Sequence, residues 1–121
     1  MKKNNYGEVL QRLKFVPHAY QLNLDRSTIR KNPDLEPLKE WLKAMTEAGF
    51  ISRQETVSMI PPVVLAPDPS NLVLDMCAAP GSKTGQLLET LRMEEGGCLV
   101  ANDSSSSRAF MLVHQLKRIM D

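Results

Sequence analysis

One stretch limits what this chain can fold into: Asn71-Leu72-Val73-Leu74-Asp75-Met76-Cys77-Ala78-Ala79-Pro80-Gly81-Ser82-Lys83-Thr84. The apolar run Leu72 to Leu74, stopped by Asp75, fits a buried strand of a parallel sheet. A turn of small residues follows, and Gln86 to Leu91 then predicts a helix. Strand, small-residue turn, helix is the arrangement that sets a ligand against backbone N–H groups. Ala78, Ala79 and Gly81 keep side chains out of its way.

The loop excludes two common ligand classes. A Walker A loop needs a glycine five residues before the one that precedes Lys83, and Met76 stands there. The dinucleotide pattern GxGxxG is absent as well. A cofactor with one carboxylate and a ribose, such as S-adenosylmethionine, remains compatible, provided a second strand supplies an acid for the ribose hydroxyls. Gly96-Gly97-Cys98-Leu99-Val100-Ala101-Asn102-Asp103 predicts that turn, that strand and that acid. Asp103 lies 28 residues after Asp75, beyond the roughly 20 of the dinucleotide fold, and Met93 to Gly97 can absorb the excess as a longer loop.

These residues carry a family resemblance. Asp75 to Thr84 resembles the first cofactor motif of the NOP/Sun family of RNA cytosine-5 methyltransferases. Gly49 to Pro62 is similar to what precedes that motif in the tRNA-modifying branch. Val100 to Asp103, then Arg108 and Leu112 to Gln115, resembles the second motif and the helix after it. The likeness runs from about Pro17 to the end. It implies an α/β, partial Rossmann-like S-adenosylmethionine-dependent methyltransferase fold: two parallel strands with flanking helices, preceded by a helical lead-in. The cofactor would be S-adenosyl-L-methionine, held by Cys77, Ala78, Ala79, Pro80, Gly81, Ser82, Lys83, Asp103 and Arg108. The partner would be RNA, of the tRNA class, with neither membrane nor metal, and the nucleus or nucleolus is the implied location, with the cytoplasm as the alternative. Relatives often carry a second acid two residues after the ribose-binding one. This chain has Ser105, which implies weaker electrostatics around the adenosine.

Cytosine carbon 5 takes a methyl group only after a thiolate adds to carbon 6. The resemblance places that nucleophile in a Thr-Cys motif and a release cysteine in a Pro-Cys motif. Neither dipeptide occurs in the 121 residues, whose two cysteines follow Met76 and Gly97. Cys77 and Cys98 also lack metal spacing. Three readings stand at this point: the N-terminal part of a tRNA cytosine-5 methyltransferase, inactive alone; a non-catalytic module binding cofactor or RNA; or a product without function. Lys83 is the residue that could reach the base or the cofactor carboxylate.

The remaining chain divides into a polar, basic lead-in (1–31), a helical segment (32–66) and the first part of the methyltransferase domain (67–121). With 15 basic and 14 acidic residues, bulk charge announces no partner. The longest apolar stretch, Met59 to Pro67, is short and holds three prolines, so it spans no membrane. No leader sequence is expected after Met1-Lys2-Lys3-Asn4-Asn5. Glu8 to Leu13 could start a short helix, and the lysines and arginines of the lead-in offer contacts for RNA phosphates.

From Asp34, Leu35, Leu38, Trp41, Leu42 and Met45 predict a helix with one core face anchored by Trp41 and closed by Gly49. Ser52 and Glu55 form a capping box for a second helix, which Pro61-Pro62 interrupts or ends. A last helix follows the serines 104–107, with Ala109, Phe110, Val113, Leu116 and Met120 as its expected buried face. His114 matches a family residue, although a lone helical histidine is more often packed or solvent-facing.

Overall fold

The computed structural model describes residues 9–120. The described residues form two compact units, divided between Met45 and Thr46.

The first unit begins with a hairpin. Strand β1 (Leu10–Arg12) pairs antiparallel with β2 (Tyr20–Leu22) in the register Leu10↔Leu22, Gln11↔Gln21, Arg12↔Tyr20. This corrects the helix expected over Glu8 to Leu13; Glu8 itself lies outside the described residues. The cause is the turn: Pro17 and a left-handed His18 (φ 57°) reverse the chain, and Leu13 N–H then donates to the Ala19 carbonyl at 2.9 Å. Strand pairing therefore takes residues whose periodicity alone is ambiguous.

Helix α1 (Arg26–Lys31) follows, capped by Asp25, whose Oδ1 accepts from Ser27 N at 2.7 Å and Thr28 N at 2.9 Å. Asn32 then accepts from Asp34 N and opens a 3-10 turn over Pro33–Leu35. Helix α2 (Glu36–Glu47) continues from it. Leu35, Leu38, Leu42 and Met45 are half-buried, but Trp41 is 53% exposed and is no core anchor. The three- and four-residue spacing found the stripe; the indole sits at its edge.

In the second unit, residues 51–55 are irregular and the expected Ser52–Glu55 capping box does not form. Glu55 precedes a 3-10 turn (Thr56–Met59) that makes no side-chain cap bond, and this turn runs into α3 (Ile60–Leu65). Pro61 and Pro62 open α3 rather than ending it, because a missing N–H costs nothing in a first turn. Ala66, left-handed at φ 43°, ends the helix.

Strand β3 (Leu72–Asp75), α4 (Ser82–Leu88) and β4 (Cys98–Ala101) form a parallel crossover unit, with the register Leu72↔Cys98 through Asp75↔Ala101. Helix α4 starts four residues earlier than predicted and stops at Leu88. The crossover closes on itself at one point. The Pro69 carbonyl accepts from Arg92 N at 2.9 Å, and the Arg92 carbonyl accepts from Gly97 N at 2.8 Å. A Cβ on Gly97 would stand 2.1 Å from the Pro69 oxygen, so the approach requires glycine.

Helix α5 (Ser106–Met120) packs onto the loop between β3 and α4. Its buried residue is Leu112 (4% exposed), which clusters with Ala78 and Ala79 and with the partly buried Ala101 and Leu116. The expected face is therefore rotated. Ala109 and Leu116 belong to it, whereas Phe110 (77%), Val113 (51%) and Met120 (69%) are exposed. The sheet is likewise one-sided: Val73 and Leu99 are half-buried, while Leu72, Leu74, Cys98 and Val100 face outward. Two strands leave one sheet face uncovered, as expected of so small a sheet.

Candidate cofactor site

The candidate site is the loop 76–81 between the carboxyl ends of β3 and β4, the position where open α/β sheets bind ligands. Its shape follows from the two acids that end the strands. Asp75 turns toward α4: its Oδ2 accepts from Thr84 Oγ1 at 2.7 Å, and its Oδ1 accepts from Cys77 N at 3.3 Å. Thr84 is fully buried, and its hydroxyl also lies 3.3 Å from the Ala78 carbonyl. One hydroxyl carries one proton, and the shorter, charge-assisted contact to Asp75 takes it.

Asp103 fastens the loop from the other strand. Its Oδ2 accepts from Ala79 N at 3.1 Å and its Oδ1 from Ser105 N at 3.1 Å. Arg108 Nη2 donates to the Ala79 carbonyl and lies 3.7 Å from Asp103 Oδ2. Both polar groups of Ala79 are thus held by the segment 103–108. Ala78 N donates to the Asn102 carbonyl at 2.9 Å, and Asn102 Nδ2 donates to the Met76 carbonyl at 3.1 Å, so the stitching continues along the loop.

The nine residues singled out in the sequence come together as follows. Ala78 and Ala79 are buried at 5% and 6% exposure and pack under Leu112. Gly81 takes φ 112°, a conformation strained for any other residue, and a Cβ there would also press on Leu112 Cδ1 at 2.9 Å. Cys77, Pro80 and Lys83 are exposed and Ser82 is half-buried. Asp103 has only 2% of its side chain exposed, against 55% for Arg108. Helix α4 has Gly81 at its N-cap and no side-chain cap bond.

The loop's small residues hold side chains back, while its N–H groups at Cys77, Ala78 and Ala79 are bonded within the chain. Asp103 is engaged with backbone N–H groups on both oxygens and holds the loop shut. A carboxylate keeps further lone-pair positions for a ribose hydroxyl, which would have to enter under that loop.

Two residues escaped the sequence reading. The sequence marks Asp75 only as a strand's end and Thr84 only as part of a motif; together they close the loop from inside. An acid at a strand end with a threonine nine residues later, in the first turn of the next helix, is the signal that could have found them. Gln54 is a third. Its amide donates to Gln86 Oε1 at 3.2 Å, and Gln86 Nε2 donates to the Met59 carbonyl at 3.1 Å. This ties the irregular segment to α4.

Among the described residues no helix is long and apolar enough to cross a membrane, and no group of three or more His, Cys, Asp or Glu could hold a metal ion.

The chain is similar to several known proteins. A family model, 16S rRNA methyltransferase RsmB/F, matches residues 62–120, which include the loop and both acids. The chain is 52% identical over 104 residues to the multisite-specific tRNA:(cytosine-C(5))-methyltransferase of Saccharomyces cerevisiae, covering 84% of this chain and 15% of that protein. It is 54% identical over 107 residues to the tRNA (cytosine(34)-C(5))-methyltransferase of Drosophila melanogaster, covering 84% of this chain and 14% of that one. Among solved structures, NSun6 from Pyrococcus horikoshii with SFG, an S-adenosylmethionine analogue, matches at a TM-score of 0.55 and 31% identity, covering 63% of this chain and 19% of that one. The solved structure of PH0851 matches at 0.62 and 27% identity, covering 93% of this chain and 24% of its own. The chain therefore spans about a seventh of the yeast and fly relatives' lengths.

Proposed function

Since the chain belongs to the NOP/Sun (RsmB/F) family of RNA cytosine-5 methyltransferases, we propose that it forms the lead-in and first cofactor-binding part of a tRNA cytosine-5 methyltransferase. The observation that supports this reading is the pair of bonds at Ala79. They fold a small-residue loop over Asp103, so that cofactor loop and second-strand acid form one unit. In this proposal residues 1–31 are the lead-in, 32–66 the N-terminal segment of the methyltransferase domain and 67–121 the beginning of its sheet.

S-adenosylmethionine, when bound, supplies a methyl group on a sulfonium. The chain's own residues would bind and orient it. The backbone of Cys77 to Ser82 would line the nucleoside, Asp103 would accept from the ribose, and Lys83, exposed on the first turn of α4, would meet the cofactor carboxylate or the target base. Arg108 would hold the loop through Ala79. The attacking and releasing thiolates are not among these residues, since Cys77 and Cys98 occur in neither required dipeptide. The proposal therefore includes that the 121 residues alone transfer no methyl group. A nuclear or nucleolar location belongs to the same proposal and rests on the family likeness.

The test is incorporation of labelled methyl from S-adenosylmethionine into tRNA by the purified 121-residue chain, beside a titration of the cofactor. No incorporation and weak binding are expected. Incorporation above background would show that these residues contain a nucleophile, and would overturn the division of labour set out here.

A further inference from the structure

The hairpin of the first unit carries chemistry that a cofactor loop does not need. Arg12 and Tyr20 are direct cross-strand partners, so their side chains leave the same face of the ribbon. Leu10 and Leu22 share that face one pair further along, while Gln11 and Gln21 occupy the other. The aromatic ring is in the open, with Tyr20 57% exposed, Leu10 52% and Phe15, in the turn, 43%.

Charge on this segment has one sign. Between residues 9 and 24 there is no aspartate or glutamate, and Arg12 and Lys14 are both present and exposed. The ribbon is also tied beyond its formal ends, by Leu13 N to the Ala19 carbonyl at 2.9 Å and Asn23 N to the Val9 carbonyl at 2.7 Å. An exposed aromatic beside a guanidinium, on a short pre-ordered ribbon with no carboxylate to repel phosphate, is the make-up of a base-stacking platform.

We propose that the Arg12–Tyr20 face of the hairpin receives one unpaired base of a single-stranded RNA segment on Tyr20, with Arg12 and Lys14 on the flanking phosphates. This rests on the RNA-substrate reading above and adds a place where the RNA is held. The base stacks on the ring irrespective of its identity, because every base has a π-face. The cations contribute the salt-dependent share.

The two contributions separate in one experiment. The 121-residue chain is titrated with a fluorescently labelled, unstructured oligoribonucleotide across a salt series, as native protein, Tyr20→Phe, Tyr20→Thr and Arg12→Gln. Threonine keeps strand propensity while removing the ring, and circular dichroism verifies the fold. Tyr20→Thr is expected to weaken binding roughly ten- to a hundredfold with the salt slope unchanged. Tyr20→Phe is expected to stay within about threefold, because its ring still stacks. Arg12→Gln is expected to lower the slope of log K against log salt by about 0.7.

Native-like affinity of folded Tyr20→Thr would overturn the platform and leave the RNA reading intact. A native chain that binds a tRNA transcript but not the oligoribonucleotide would do the same. Binding to neither would sink both. A dimer in sedimentation that Tyr20→Thr dissolves would give this face to a second copy of the chain and also overturn the proposal.

Discussion

Replacing Thr84 by valine isolates the inner latch of the cofactor loop. Valine keeps the shape of a fully buried side chain and removes the hydroxyl that donates to Asp75 Oδ2 at 2.7 Å. A hydrogen bond to a charged acceptor contributes about 1.5–3 kcal/mol. Asp75 is only half-buried, so water can replace part of the lost donor, and the lower end, about 1.5 kcal/mol, is the expected cost. In a domain of this size that lowers Tm by roughly 6–12 °C. Urea denaturation measures the energy, and amide exchange at Cys77, whose N–H is held by the other oxygen of Asp75, reports the local loosening. Thr84→Ser is the control: it keeps the donor and loses one methyl, about 0.8 kcal/mol of burial plus a small cavity. If Thr84→Val unfolds within about 0.5 kcal/mol of native while Thr84→Ser loses more, the methyl and not the hydroxyl carries the site, and the latch reasoning is wrong.

Gly81→Ala places a methyl 2.9 Å from Leu112 Cδ1 at a backbone φ of 112°; a loss of roughly 2–3 kcal/mol is expected in urea denaturation. Asp103→Ala leaves Ala79 N–H without its acceptor in a 6% exposed residue, so exchange at Ala79 should accelerate by more than tenfold while α1 amides keep their rates, read by NMR. Asp25 has its carboxyl held below the usual 3.8, chiefly by the Thr28 hydroxyl and then by the Thr28 N–H. Its support of α1 is therefore present above pH 3.8 and is lost as pH falls through the lowered value. Thr28→Ala should move the Asp25 titration, followed by side-chain NMR, back up toward 3.8.

The crossover unit was legible because its signals are local and agree with one another. Apolar runs ended by Asp75 and Asp103 gave both strands, and the small residues between gave the turn. What failed was whatever depends on a partner. Periodicity sees a stripe on α5 but not which half of it meets the loop, so Leu112 was passed over and Phe110 named in its place. Ser52 and Glu55 have the spacing of a capping box, yet Gln54, lying between them, bonds to Gln86 32 residues away, and the segment stays irregular. In the hairpin, three residues per strand are too few for alternation to show, and the reversal at His18 decides the outcome. At the site, motif reading supplied the residues that line the loop and missed that Asp75 and Thr84 shape it, because their contact is a matter of geometry.

The meeting of Pro69, Arg92 and Gly97 bears on how the protein assembles. Those two backbone bonds join the lead-in to β3 to the lead-in to β4, clasping the intervening strand and helix into one closed circuit. A circuit of that kind forms or opens as a whole, so β3, α4 and β4 should behave as one cooperative folding unit, with Arg92 and Gly97 amides among the last to exchange. Non-local pairing of parallel strands is slow to find. A substitution at Gly97 would therefore loosen strand, helix and strand together, well before any ligand meets the loop.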